Sequence, residues 1–276
     1  IPTETSRTDY AADSLGDGAD GAITISADTD INANNSIGGR SCVDGGDAVG
    51  YNATALTADT ATLSSAPSAG CLAAGDEVLL INVQGTNSAY GNTGNYETLE
   101  VQSVVSSTVT FTTSKTNYYG DGGSDDTNLG TAQGTQRVIV QRVPNYTTVT
   151  VDSGYNFYPA EWDGSKGGVM FFRATGAVAI NGTIHADAKG YRDAGIDDSG
   201  TWGGNGGEAF CGIGGTPATS GTEATDGAGG GGGGYLGGEG GDGYCGGGGG
   251  AADTSGSNTH LGSATAGGAG GGGGGY

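Results

Sequence analysis

The chain has 276 residues, 34% of them hydrophobic, with 62 glycines and a formal net charge of -21 from nine Lys and Arg against 30 Asp and Glu. So glycine-rich a chain offers no window with sustained helical apolar spacing, which excludes a helical protein. The excess of carboxylates repels phosphate backbones and anionic bilayers, and no run of 18 apolar residues exists, so neither nucleic acid nor membrane insertion is expected.

The chain starts at Ile1 without a Met or a basic, apolar leader, and reads as an exported form whose targeting segment is gone. An N-terminal arm and strand are expected over 1–35. In "GDGADGAITISADTDIN" the residues Ile23, Ile25, Ala27, Thr29 and Ile31 recur at alternate positions, the period of a half-buried strand after a glycine turn. Residues 36–74, rich in Ala, Ser, Thr and Gly, predict loops and short strands. The strongest strand signals follow: "GDEVLLINVQGT" (75–86), "NYETLEVQSV" (95–104) and "STVTFTT" (107–113), three strands that predict a small antiparallel sheet or barrel. The Gly/Asp stretch 117–130 interrupts them. "QRVIVQRV" (136–143) and "YTTVTVDSG" (146–154) resume the pattern around a corner at Pro144, closing a β-rich domain over 36–155. Over 156–194 the runs "VMFF", "AVAI" and "TIHA", parted by glycine turns, predict short β-rungs of a solenoid or stacked sheet.

From 195 to 276 the apolar strands stop, and 37 of 82 residues are glycine. Ordering glycine costs about 1–2 kcal/mol per residue in backbone entropy, offset only by hydrogen bonds worth roughly 0.5–1.5 kcal/mol each. Collagen is excluded by five prolines and no three-residue period, and a bare glycine sheet lacks cross-strand pairs. The remaining arrangement is a bundle of polyglycine II helices whose outward N–H and C=O groups bond to neighbours. The predicted fold class is therefore all-β, with a sandwich- or barrel-like antiparallel part, short rungs and a glycine-helix bundle.

The run "GGGGGGYLGG" (229–238) resembles the glycine-rich domain of anaplastic-lymphoma-kinase-type receptors, and the long glycine runs resemble the polyglycine II tips of phage tail-fibre adhesins. "GDGADGAITIS" and the block 162–192 resemble segments of large bacterial surface and gliding-associated proteins. These resemblances imply an extracellular, non-enzymatic role in assembly or attachment.

Four cysteines in an exported chain predict two disulfides. Of three connectivities, Cys42–Cys71 with Cys211–Cys245 is favoured because each pair lies within one compositional segment. Sequons stand at Asn34, Asn52, Asn145 and Asn181. Asp121, Asp125 and Asp126 on a glycine-rich turn, and Asp17 with Asp20 on another, offer oxygens to a hard cation such as Ca²⁺, though neither has the spacing of an EF-hand; otherwise no cofactor is expected. His185 and His260, the only histidines, do not suggest a catalytic triad, and no enzymatic motif stands out. Tyrosines beside glycines, among them Tyr235, Tyr244 and Tyr276 and those in "GYNFYPAEW" (154–162), suit lids over backbone, sugar stacking or subunit contacts.

The leading expectation from sequence is a secreted, self-assembling subunit of an extracellular filament, sheath or surface layer. Copies of itself are the expected partner, with Ile23, Ile25 and Ile31 forming a donated strand and the three tyrosines at contacts. The alternative is an adhesin that recognises a surface glycan or protein.

Overall fold

The computed structural model describes residues 15–34, 40–192 and 208–212, and within them the chain is all-β with no α-helix. Two bodies of strand are woven together by one insertion. The chain starts one with β1 (Gly21–Ile25) and β2 (Thr29–Asp30), then builds a separate barrel, then returns with β9 (Asn145–Val151) and β10 (Asn156–Tyr158). It finishes with β11 (Arg173–Ala174), β12 (Val178–Ile180) and β13 (Thr183–Ile184).

The returning strands stack in parallel on the first ones. Val149 of β9 stands between Ile23 and Val178, and Val151 stands between Ile25 and Ile180. Phe157 of β10 stands between Thr29 and Ile184. Each rung therefore carries an aliphatic-x-aliphatic strand, a polar turn and a second short strand, and three such rungs form a parallel solenoid. Ile23, Ile25, Ile31, Tyr146, Val149, Val151 and Phe157 make its buried core, with Phe172 tilted against both Tyr146 and Phe157 at ring distances of 6.0 and 5.8 Å.

The inserted barrel closes in the order β3 (Gly50–Leu56), β4 (Thr60–Leu63), β7 (Thr108–Phe111), β6 (Tyr96–Val105), β5 (Glu77–Gln84) and β8 (Arg137–Arg142), antiparallel throughout. Alternation places Val78 and Leu80 of β5 and Val138 and Val140 of β8 in its interior with Val101, Val109 and Phe111. Closure leaves this sheet without an edge. All six residues of β8 are buried, because its outer side faces the solenoid, where Gln141 Nε2 donates to Val169 O at 3.3 Å.

The strands expected over 75–113 are β5, β6 and β7. The pairing divides the chain differently from the sequence expectation, however. The segment 146–154 is not a barrel strand but the middle solenoid rung, and Ile23, Ile25 and Ile31 are not a free arm but its first rung, 3%, 1% and 0% exposed. The physical reason is burial: these aliphatics gain more from Val149 and Val151 in their own chain than a loose arm could, at roughly 1.5–3 kcal/mol per buried side chain.

One buried cation bolts the two bodies together. Arg142, at the end of β8, donates from Nη2 to Asp20 Oδ1 and Oδ2 at 2.7 and 2.8 Å, from Nε to Asp76 Oδ1 at 3.0 Å and from Nη1 to the Asp47 carbonyl at 3.0 Å. Asp20 also accepts the Asn145 amide at 2.7 Å, and Arg40 Nη2 donates to Asp76 Oδ1 and Oδ2 at 2.8 and 2.9 Å. Nearby, Arg173 of the solenoid pairs with Glu77 of the barrel at 2.6 Å.

Candidate functional site: an aromatic cleft where solenoid and barrel meet

Two turns of the solenoid and one later segment converge on the end of β5. The Gly168 amide donates to Ala160 O at 2.8 Å, closing the turn near 160–168, and the Trp162 amide donates to Lys189 O at 3.0 Å, which ties that turn to the one near 189–192. Gly167 is indispensable there: its φ is +107°, and a Cβ would lie 2.2 Å from Glu161 O. The Tyr191 hydroxyl, donating to Val83 O, ties the second turn to β5.

The third wall comes from residues 208–212, far along the chain. Gly85 donates its amide to Phe210 O at 2.7 Å, and Gln84 Nε2 donates to Ala209 O and Gly212 O at 3.1 and 2.9 Å. Two aromatic pairs result. Trp162 meets Tyr191 edge to face at 5.7 Å, and Tyr90 meets Phe210 in the same way at 5.7 Å. Between them lies a cleft of about 370 Å³, with Tyr191 and Phe210 about 40% exposed on its walls and Gly94, Gly167, Gly168 and Gly190 on its rim.

Among the described residues no charged side chain lines this cleft. The nearest charges neutralise each other behind it: Glu208 accepts from Trp162 Nε1 at 2.8 Å and pairs with Arg192 at 2.5 Å. Burial raises the Glu208 carboxyl, but the hydrogen bonds from Arg192 and Trp162 outweigh it and hold the group below the ordinary carboxylate range. Burial, with the Glu208 charge behind it, pushes the Tyr191 hydroxyl up to about 12, so it is a neutral donor. Two acceptors lie close by. Thr93 Oγ1, on the lining, and Gln84 Oε1, behind Phe210, are buried and have no hydrogen-bond partner among the described residues.

A larger cavity, about 600 Å³, opens at the Arg142 junction. Its Asp20, Asp76 and Glu77 are already committed to Arg142, Arg40 and Arg173, so it serves as the seam between the two bodies.

The residues singled out in the sequence are scattered relative to this cleft. Cys42 and Cys71 are disulfide-bonded as expected. Cys211 is also in a disulfide, its partner lying outside the described residues, as Cys245 does. Asn34 and Asn181 are exposed, whereas Asn52 and Asn145 are 6% and 7% exposed and their amides are engaged with Ser165 and with Glu77 and Val143 O. Asp121, Asp125 and Asp126 are each engaged by neighbouring groups of the chain. Asp121 accepts from Thr127 Oγ1, Asp125 from the Gly122 and Thr127 amides, and Asp126 pairs with Lys115 at 2.5 Å. Among the described residues no group of three or more His, Cys, Asp or Glu is placed to hold a metal ion. The glycine bundle, with Tyr235, Tyr244 and Tyr276, and His260 lie outside the described residues. Trp162, Tyr191 and Phe210 were missed as a site; Trp162 closes the tyrosine-rich "GYNFYPAEW", but Phe210 is hidden among glycines.

No family model matches the chain, and no curated protein matches it. Among solved structures it is similar to the tailspike gp49 of Pseudomonas phage LKA1, at 16% identity over 44% of this chain and 22% of that one, TM-score 0.22. It is also similar to the Pseudomonas phage phi297 tailspike gp61, at 21% identity over 60% and 24%, TM-score 0.22. A third is the Gp54 tailspike of Acinetobacter baumannii bacteriophage AP22, solved with an A. baumannii capsular saccharide, at 13% identity over 59% and 27%, TM-score 0.24. The chain spans about a quarter of the length of each, and at such scores no argument is built on these likenesses.

Proposed function

We propose that the protein is an extracellular adhesion module that binds a neutral saccharide in the Trp162–Tyr191–Phe210 cleft. The observation that carries this is the cleft's lining: the Tyr191 and Phe210 rings, about 40% exposed, beside four glycines, with no charged side chain among the described residues that line it. Aromatic faces suit the C–H face of a sugar ring, and bare backbone at the glycines suits its hydroxyls. The disulfides favour an oxidising, extracellular setting. Assembly into a filament through a donated N-terminal strand has less support, because Ile23, Ile25 and Ile31 are spent inside the chain's own core.

The test is a screen of the complete chain against an array of neutral and acidic oligosaccharides, wild type beside Tyr191→Ala. Saturable binding of neutral sugars that the variant loses is the expected result. An empty array, or binding indifferent to Tyr191, overturns the reading.

A further inference from the structure

The aromatic cleft and the polar cavity at the Arg142 junction open on one face of the barrel. On β5, Glu77, Leu79 and Ile81 alternate with the interior residues Val78 and Leu80 and so point outward; on β6 their cross-strand partners Glu100, Thr98 and Tyr96 do the same. Ile81 lines the cleft, whereas Glu77, Thr98 and Glu100 line the cavity, four residues away on β5 or about 14 Å at the rise of a strand. Midway, Leu79 is buried, so the seam is filled above β5. The open side runs along β6, where Tyr96 is 59% exposed, Thr98 partly exposed and Glu100 exposed. The solenoid supplies the opposite wall. Met170 and Phe172 pack into its core, Val169 lines the cleft, and Arg173 reaches Glu77 and, at 3.2 Å, Thr98 Oγ1. Between them Phe171 is partly exposed, and the Arg173 guanidinium lies 5.8 Å from its ring centre, which puts that ring at the seam too.

Tyr96 is held in place although its ring is exposed. Its strand pairs with Ile81 of β5, and its carbonyl accepts from Asn117 Nδ2 at 3.0 Å, so the ring is presented from pinned backbone directly beside the cleft. We infer, resting on the saccharide reading of the cleft, that the sugar bound there is one end of a neutral chain of several rings, which runs along β6, stacks a further ring on Tyr96 and reaches Thr98 and Glu100. Charge decides the class of chain. In the far cavity Asp20, Asp76 and Glu77 are offset by Arg142, Arg40 and Arg173, but Asp17 and Glu100 form no ion pair among the described residues. That surplus of carboxylate repels uronic acids and accepts hydrogen bonds from sugar hydroxyls, so the chain is uncharged along its length.

Calorimetric titration of the complete chain tests this, with the neutral oligosaccharide that the array selects prepared at defined lengths from disaccharide to about octasaccharide. Wild type should bind the longer members roughly tenfold more tightly than the shortest one it binds, and the gain should level off once the chain covers the path. Tyr96→Ala should lose most of that gain while its affinity for the shortest member stays within about twofold of wild type. Tyr96→Trp, which keeps a flat face, should retain the gain. The Tyr96 ring is largely exposed and its backbone bonds survive substitution, so both variants should melt as wild type does. Affinity independent of length, or a Tyr96→Ala variant that keeps the full gain, overturns the extended path and leaves the cleft reading intact. A Tyr96→Ala variant equally weakened at every length, or an equal gain from oligogalacturonates of matching length, also overturns the proposal. No binding by wild type at any length overturns it together with the cleft reading on which it rests.

Discussion

Replacing Arg142 by Met removes the bolt between solenoid and barrel without changing side-chain length much. Four hydrogen bonds to Asp20, Asp76 and the Asp47 carbonyl vanish, while the side chains of Asp20 and Asp76, only 7% and 8% exposed, stay in place. Asp76 retains Arg40, but Asp20 is left with the Asn145 amide alone. Removing one side of a buried ion pair typically costs about 3–5 kcal/mol, because the remaining charge is stranded in a poorly polarisable site. For a chain of this size that corresponds to a melting temperature lower by roughly 6–20 °C. Adding Asp20→Asn to Arg142→Met removes the stranded charge and should recover part of the loss, which a merely bulky or cavity-forming effect would not. Thermal unfolding followed by calorimetry is the assay. A variant that melts within about 2 °C of wild type, or a double variant no more stable than the single, would refute the bolt.

Two further expectations test the surroundings of the cleft, and a third tests the burial of the sequons. Gln84→Ala removes both side-chain donors that hold Ala209 and Gly212, so amide exchange across 208–212 should accelerate at least tenfold while β5 itself stays protected; unchanged exchange contradicts the anchoring role. Glu208 has a depressed pKa in the folded chain, so its stabilising contribution is present above the ordinary carboxylate value of 4.5 and is lost as pH falls below that through the folded value. The melting difference between wild type and Glu208→Gln should therefore shrink from pH 6 toward pH 3, and a constant difference would argue against the Arg192 pairing. Expressed in a glycosylating host, the folded protein should carry sugar at Asn34 or Asn181 and not at the buried Asn52 or Asn145, as peptide mass spectrometry can read directly.

The barrel was largely legible in the sequence because its central strands announce themselves locally. Val78 and Leu80, Leu99 and Val101, and Val109 and Phe111 alternate with outward residues over neighbouring stretches, the last two strands joined by a short turn. The solenoid was only partly legible. Its short rungs could be read in 173–184, but their partners Ile23-x-Ile25 and Val149-x-Val151 lie far upstream, the first of them beyond an entire inserted barrel. Parallel pairing leaves no hairpin signature between partners, so an alternating "AITIS" reads equally well as a free strand. The site was harder still. Trp162, Tyr191 and Phe210 are brought together by backbone bonds at Gly85 and Lys189, and by the Gln84 side chain, none of which has a local sequence signal.

The saccharide cleft is the centre of this account, and calorimetric titration tests it most directly. The best neutral oligosaccharide from the array would be titrated into wild type, Tyr191→Ala and Phe210→Ala, each first shown to melt as a folded protein. The account predicts one saturable site in wild type, weakened roughly tenfold or more by either substitution, since each removes an exposed stacking face. Equal affinity in all three proteins would place the sugar elsewhere and contradict it.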